Sequence, residues 1–277
     1  MEPLAIGICS WSIDRHRPLD ALRTAAGDLG VRAVHLGFFD EETLAATTPA
    51  DVDRVTGDCG IEISATFAAF HGEDYSSMQT IAATGGLMPD EHVEARLDYL
   101  RRVSAFNVAL GVPLLAVHVG TVPPDSGSED YRKLAARTAR AADLLAGNDL
   151  RLLLETGRES ARALADFIDA VGRPNVAVNY DPGNLLLYGT DDPVRAVTAL
   201  RERIEHVHLK DALASDRPGE TWGSECTLGS GQASIARVVS KLRSGGYTGP
   251  LVVERTAGRG DPGTLADSID YLRSLLE

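Results

Sequence analysis

Short apolar runs alternate along this chain with longer stretches in which apolar positions recur every three or four residues. The runs predict strands near 4–9, 31–37, 61–67, 113–119, 150–155, 175–181, 204–209 and 250–254. The longer stretches predict helices near 18–29, 43–59, 90–110, 129–147, 160–171, 192–202, 232–244 and 262–276. Val93, Leu97, Leu100 and Val103, for example, fall on one helical face. Pro174, Pro182, Pro193 and Pro262 punctuate the joins, and Gly30, Gly60, Gly111 and Gly172 stand where helices should end. Eight strand–helix alternations predict an α/β fold, a closed (β/α)8 TIM barrel in a single domain spanning 1–277, although alternation alone also fits an open sheet. The length of 277 residues matches the roughly 250 of one such barrel. Residues 68–89 and 211–231 are longer than ordinary barrel loops and follow strands, which marks them as lids or walls of a site.

Four of the apolar runs end on a polar residue: Glu155 after LRLLL, Asp181 after VAVNY, His208 after HV, and Glu254 after LVV. Side chains alternate along a strand, so His206, His208 and Lys210 share one face while Val207 and Leu209 share the other. Glu155 shares parity with Leu153, and Asp181 with Asn179. In a barrel the carboxyl ends of the strands converge on one face. Three carboxylates meeting an imidazole there repel one another unless a cation lies between them. A mixed oxygen and nitrogen set suits one divalent ion, Mn²⁺, Mg²⁺, Co²⁺ or Zn²⁺, better than thiolate-seeking metals. Taken singly, each residue is as readily an ion-paired strand end.

Composition narrows the function classes. Lys plus Arg is 27 against 40 Asp plus Glu, a net charge of −13, which works against a polyanionic partner such as DNA. Cys9, Cys59 and Cys226 are odd in number and far apart, so neither a disulfide framework nor a CxxC knuckle is expected. The amino terminus MEPLAIGICSW reads as a first strand and not as a signal peptide, and no stretch is apolar enough to span a membrane. A cytoplasmic protein acting on a small molecule is expected.

The segments LLLETGRE, NYDPGNLLLYG, HVHLKDA, WGSECTLGSGQ, GGYTGPLVVE and ERTAG resemble those of the xylose isomerase-like TIM-barrel superfamily. It comprises sugar isomerases and epimerases together with endonuclease IV-type repair enzymes. The resemblance implies that Glu155, Asp181, His208 and Glu254 bind one divalent metal, often manganese. It also implies that Glu155 and Glu254 face opposite sides of the substrate and move its proton. GEDYSSMQTIAATGG, ETGRE and ERTAG are similar to a subgroup of sugar phosphate isomerases/epimerases and of metal-binding subunits of enzymes that cleave 3-keto C-glycosides. Such relatives are often homo-oligomers or need a second subunit.

The chemistry fits these residue types. A proton beside a sugar carbonyl is weakly acidic, and a chelated dication stabilises the enediolate left when it departs. Glu155 and Glu254 are the candidate bases. Returning the proton on the other face gives epimerisation, returning it to the next carbon gives isomerisation, and expelling a leaving group gives a lyase. The ligand set leaves these outcomes open, and a sugar-binding barrel with a structural metal is a further alternative.

Candidate substrate contacts are His118 at the fourth strand, Lys210, Arg158, Arg255, Trp222, and His71 with Glu73 in the first long loop. Each has a structural counterpart. His118 is otherwise a core histidine, Lys210 the partner of Asp211 or a nearby carboxylate, Arg158 and Arg255 salt-bridge partners of the site's acids, and Trp222 an anchor for its loop. His206 reads as structural. The GSG at 229–231 precedes a helix whose first amides offer a weak anion signal. One departure matters: many relatives carry histidine three residues after the strand-six aspartate, where this chain has Asn184. No histidine follows His208, so a three-metal nuclease site is short of nitrogen ligands.

Overall fold

The computed structural model describes residues 4–257 and 260–277. Their strands are β1 (Ile6–Cys9), β2 (Ala33–Phe38), β3 (Glu62–Ala68), β4 (Leu114–Val117), β5 (Arg151–Glu155), β6 (Val176–Tyr180), β7 (Ile204–Leu209), β8 (Asp211–Leu213), β9 (Ser224–Cys226) and β10 (Leu251–Val253). The helices are α1 (Ser10–Ile13), α2 (Pro18–Gly27), α3 (Glu41–Ala46), α4 (Pro49–Cys59), α5 (Met78–Thr84), α6 (Val93–Leu110), α7 (Glu129–Ala146), α8 (Ala161–Val171), α9 (Pro182–Tyr188), α10 (Pro193–Leu200), α11 (Ile235–Ser244) and α12 (Pro262–Leu276). Eight strands close in parallel, in the order β1-β10-β7-β6-β5-β4-β3-β2, so the barrel and not the open sheet is what the alternation encodes.

Parallel strands covered on both faces need apolar residues on both. The outward set, including Val178, Val207 and Leu209, packs against the helices in one large core. The inward set forms a smaller core of Cys9, Trp11, Phe67, Ala116, Leu153, Ala177 and Val252. An irregularity between Val178 and Asn179 pairs Val178 with Ile204 but Asn179 with His206. The extra residue, Glu205, meets Arg151 at the amino end of the barrel, and His206, His208 and Lys210 then follow on the inward side.

Three expectations need correction. The helix expected over 43–59 is two, because Pro49 cannot continue α3 and begins α4 under a Thr48 cap. The 68–89 connection contains α5, started by a reciprocal capping box between Ser77 and Thr80. The 211–231 connection contains the antiparallel pair β8–β9. Both long loops are therefore built walls. No helix among the described residues is long and apolar enough to cross a membrane. Gly258, the end of the ERTAG segment, lies outside the described residues.

Candidate metal centre

The strand register delivers Glu155, Asp181, His208 and Glu254 to one point. Each offers a ligand atom, all within 4.8 Å of one another, and all four residues are buried. His208 Nδ1 lies 2.9 Å from Glu155 Oε1 and 3.5 Å from Glu254 Oε2. Asp181 also caps α9: its Oδ1 accepts from the amides of Gly183 and Asn184 at 2.8 and 3.2 Å. Its Oδ2 accepts from Lys210 Nζ at 2.9 Å. Lys210 also approaches Glu254 Oε2 at 2.5 Å and donates to Asn184 Oδ1 at 3.1 Å. This crowding requires glycine at 183, where a Cβ would come within 2.6 Å of Lys210 Cγ. Trp11 Nε1 donates to Glu254 Oε1 at 2.8 Å, and His118 Nε2 lies 3.3 Å from Glu155 Oε2.

These residues fit a divalent cation on two counts. Glu155 Oε2 and Glu254 Oε2 are buried acceptors without a hydrogen bond of sound geometry, Lys210 being close to the latter but misaligned. Buried polar atoms are normally satisfied, so such a pair calls for a partner. The charges agree: three carboxylates are balanced by one ammonium and one dication, with His208 neutral. Without the dication, His208 must supply positive charge itself. Burial opposes that charge, yet Cys9, Glu155 and Glu254 together outweigh it and hold the imidazole well above its ordinary value. Burial pushes the Asp181 carboxyl up to about 7 against the pull of Lys210. Burial works upward on Glu254 as well, but Lys210 and His208 prevail and hold that carboxyl well below the usual range.

Beneath the quartet lies a second polar group. His35 Nδ1 is 2.7 Å from His208 Nε2, and Cys9 Sγ is 3.4 Å from the same nitrogen. Two imidazole ligands on one tetrahedral ion, each about 2.0–2.1 Å from it, would stand well over 3 Å apart. The 2.7 Å contact is therefore a hydrogen bond and not half of another metal site. Burial drives His35 and His206 well below the usual histidine value, so both are neutral. Burial pushes the Cys9 thiol up to about 12, so it too is uncharged. The polarity of the chain follows. With His208 Nδ1 turned to the carboxylates, the proton on Nε2 donates to His35 Nδ1. His206 completes the layer, with Nδ1 2.9 Å from Asn179 Oδ1 and Nε2 3.0 Å from Ser64 Oγ.

Above the quartet opens a cavity of about 600 Å³, walled by Trp11, Phe39, Phe67, Phe70, Tyr75, Tyr188 and Trp222, with His118, Lys210 and Glu254 at its base. Of the residues expected to touch substrate, Lys210, His118, Trp222 and Glu73 line it. Lys210 pairs with the site's carboxylates and not with Asp211. Trp222 also packs on Tyr188 at 4.8 Å between ring centroids, so it both anchors its loop and faces the cavity. Arg158 turns into a side cavity of about 30 Å³, beside Glu155 and His118, and donates to the Met78 carbonyl. Arg255 is absent from the cavity wall and lies 3.7 Å from Glu225. His71 is exposed and borders a separate cavity with Arg96 and Tyr99. The anion signal at 229–231 has an internal occupant: Asp211 accepts from the amides of Gly229, Gly231 and Ala233. Trp11 and Arg15 went unnoticed in the sequence. Their signal was the segment SWSIDR, which follows β1 at the same end of the barrel as the quartet.

The fold agrees with comparisons to known proteins. The family profile described as xylose isomerase-like TIM barrel matches residues 23–275. A xylose isomerase domain protein from Planctomyces limnophilus superposes with a TM-score of 0.89 at 32% identity, covering 99% of this chain and 98% of its own. A D-allulose 3-epimerase from Methylomonas sp. gives 0.74 at 17% identity, covering 100% and 99%. A xylose isomerase-like TIM barrel protein from Mycobacterium smegmatis, in complex with magnesium, gives 0.72 at 17%, covering 100% and 98%. No curated protein sequence matches significantly. A profile spanning nearly the whole chain, over a closed eight-stranded barrel, makes this protein a member of the xylose isomerase-like TIM barrel family.

Proposed function

We propose that the chain is a divalent-metal-dependent sugar isomerase or epimerase that moves a proton on carbon next to a carbonyl. The observation that carries this reading is the pair of unsatisfied carboxylate oxygens, on Glu155 and Glu254, within a quartet that, together with Lys210, is one dication short of neutrality. Glu155, Asp181, His208 and Glu254 would hold the ion, and the oxygen-rich donor set favours Mn²⁺, with Mg²⁺, Co²⁺ and Zn²⁺ as alternatives. When bound, such an ion withdraws electrons from a carbonyl and stabilises the charge that develops as the neighbouring proton leaves.

The protein's own groups do the rest. Glu155 and Glu254 stand on β5 and β10, with β6 and β7 between them, so they flank Asp181 and His208. A sugar lying over those two residues meets a carboxylate at each side, which suits removal of a proton from one face and its return to the other. Lys210 holds Glu254 ionised, the form a base requires, while Trp11 Nε1 donates to its other oxygen. Lys210, held on Asp181 and Asn184, lines the cavity in which a sugar would lie. The aromatic walls exclude water from the exchanging proton. That the relative from Methylomonas is an epimerase of D-allulose supports a ketose as substrate.

The test is solvent-deuterium incorporation into a panel of ketoses, with Mn²⁺ added and with chelator. Incorporation that needs metal and falls by about 10²–10⁴ in Glu254→Gln, with unchanged circular dichroism, is the expected result. Exchange indifferent to chelator, or undiminished in the variant, overturns the assignment. Release of a substituent in place of a rearranged sugar would identify elimination instead.

A further inference from the structure

Most charged groups around the cavity are already engaged. Glu73 accepts from the Gly86 amide at 2.8 Å. Glu225 accepts from the amides of Thr256 and Ala257 at 2.9 and 3.2 Å and faces Arg255. Lys210 is committed to Asp181, Glu254 and Asn184. Arg15 differs. Its guanidinium stacks over Phe39 at 4.8 Å from the ring centroid and lines the cavity, while its Nε is buried with no hydrogen-bond partner. Asp40 feels its charge but is occupied by the Thr43 amide and His16. The backbone that carries Arg15 is fixed, because Asp14 Oδ1 accepts from the amides of His16 and Arg17 at 2.8 and 3.2 Å.

An aromatic path connects this arginine to the metal ligands. Phe39 meets Trp11 at 5.6 Å between centroids, and Trp11 donates directly to Glu254. A planar guanidinium held on a ring, out of reach of any acid among the described residues, is preorganised for a forked acceptor. We propose that Arg15 is the subsite for an anionic substituent of the substrate, a phosphate or carboxylate carried by the sugar whose carbonyl end sits at the quartet. Sequence reasoning placed that role on Arg158 and Arg255, whose guanidinium groups turn to the Met78 carbonyl and to Glu225. This assignment rests on the proposed sugar chemistry for its geometry but has its own readout.

The experiment compares D-fructose, D-fructose 6-phosphate and D-fructuronate, which share a carbonyl end and differ at the far carbon. Their binding to the Mg²⁺-loaded protein is measured by calorimetry for wild type, Arg15→Gln and Arg15→Lys. A charge-assisted hydrogen bond predicts that a charged form binds about 10-fold or more tightly than D-fructose. The advantage should vanish in Arg15→Gln, return in part in Arg15→Lys, and shrink with added NaCl. A preference for the phosphate alone identifies a phosphorylated sugar, one for the carboxylate alone identifies a sugar acid, and one for both identifies recognition of charge. Failure of both charged forms to bind better than D-fructose overturns the proposal, as does an advantage that survives in Arg15→Gln. Deuterium incorporation is followed in parallel. A charge preference without exchange sinks the isomerase reading and leaves Arg15 in place, and exchange without charge preference does the reverse.

Discussion

The barrel interior holds two buried polar clusters, one above the other, and they are built on opposite principles. The lower one, His35, His206, Asn179 and Ser64, is neutral, and its members answer one another donor to acceptor. Its one loose end, His35 Nε2, lies beside the Thr66 backbone. The upper one gathers three acids around one lysine and one histidine and leaves carboxylate oxygens unanswered. Apart from the half-buried Ser64, both are buried, so burial does not separate structure from function here. Satisfaction does: a closed hydrogen-bond network holds a core together, whereas excess charge with open acceptors waits for a ligand.

That contrast can be broken at the contact between the two clusters. His35→Leu removes the acceptor of His208 Nε2–H and frees the ring to take the wrong tautomer. Affinity for Mn²⁺ should fall about 10–100-fold by calorimetry. His35→Asn, which can keep an acceptor near the position of Nδ1, should restore much of it. Unchanged affinity in His35→Leu would show that the lower layer does not support the upper one.

A change wholly inside the lower layer should act on stability instead. His206→Leu strands Asn179 Oδ1, at a cost of about 1–3 kcal/mol for the group left unpaired, while Ser64 Oγ keeps the Val34 carbonyl. Denaturant unfolding should register this loss while the Mn²⁺ dissociation constant stays within about threefold. A large change in metal affinity would merge the two clusters into one functional unit.

The smallest effect is expected at Glu159, a buried carboxyl near the quartet that feels the charge of Arg158 but makes no salt bridge among the described residues. Burial pushes it up from 4.5 to about 7, although the Gly157 amide pulls the other way. Its folded value exceeds its unfolded one, so the folded state holds the extra proton between those limits. Stability therefore falls as pH rises through that window, and the loss is complete above pH 7. Glu159→Gln should be roughly 1–3 kcal/mol more stable than wild type at pH 8, with the gap closing toward pH 5. A gap independent of pH would place the charge of Glu159 in a relieved environment.

Strand parity made much of the site legible in advance. The two-residue period put His206, His208 and Lys210 on one side, and apolar runs marked where Glu155, Asp181 and Glu254 leave the barrel. Arg158 and Arg255 illustrate the limit. Each directly follows or closely trails a metal-ligand position, yet Arg158 turns to the Met78 carbonyl and Arg255 to Glu225, because a long flexible side chain is directed by what lies within its reach and not by its place in the chain. Asp211 makes the same point, since it fills the very amides that looked ready for a phosphate.

The sequence by itself determined the order of the eight barrel strands, the inward set of side chains and the identity of the four converging groups, because those follow from short-range periodicity. Tertiary structure alone decided that Trp11 reaches Glu254, that His35 meets His208 Nε2, and that Arg15 is left over Phe39 without an acid. Those pairings span residues distant in the chain, and closure of the barrel is what brings them within bonding distance.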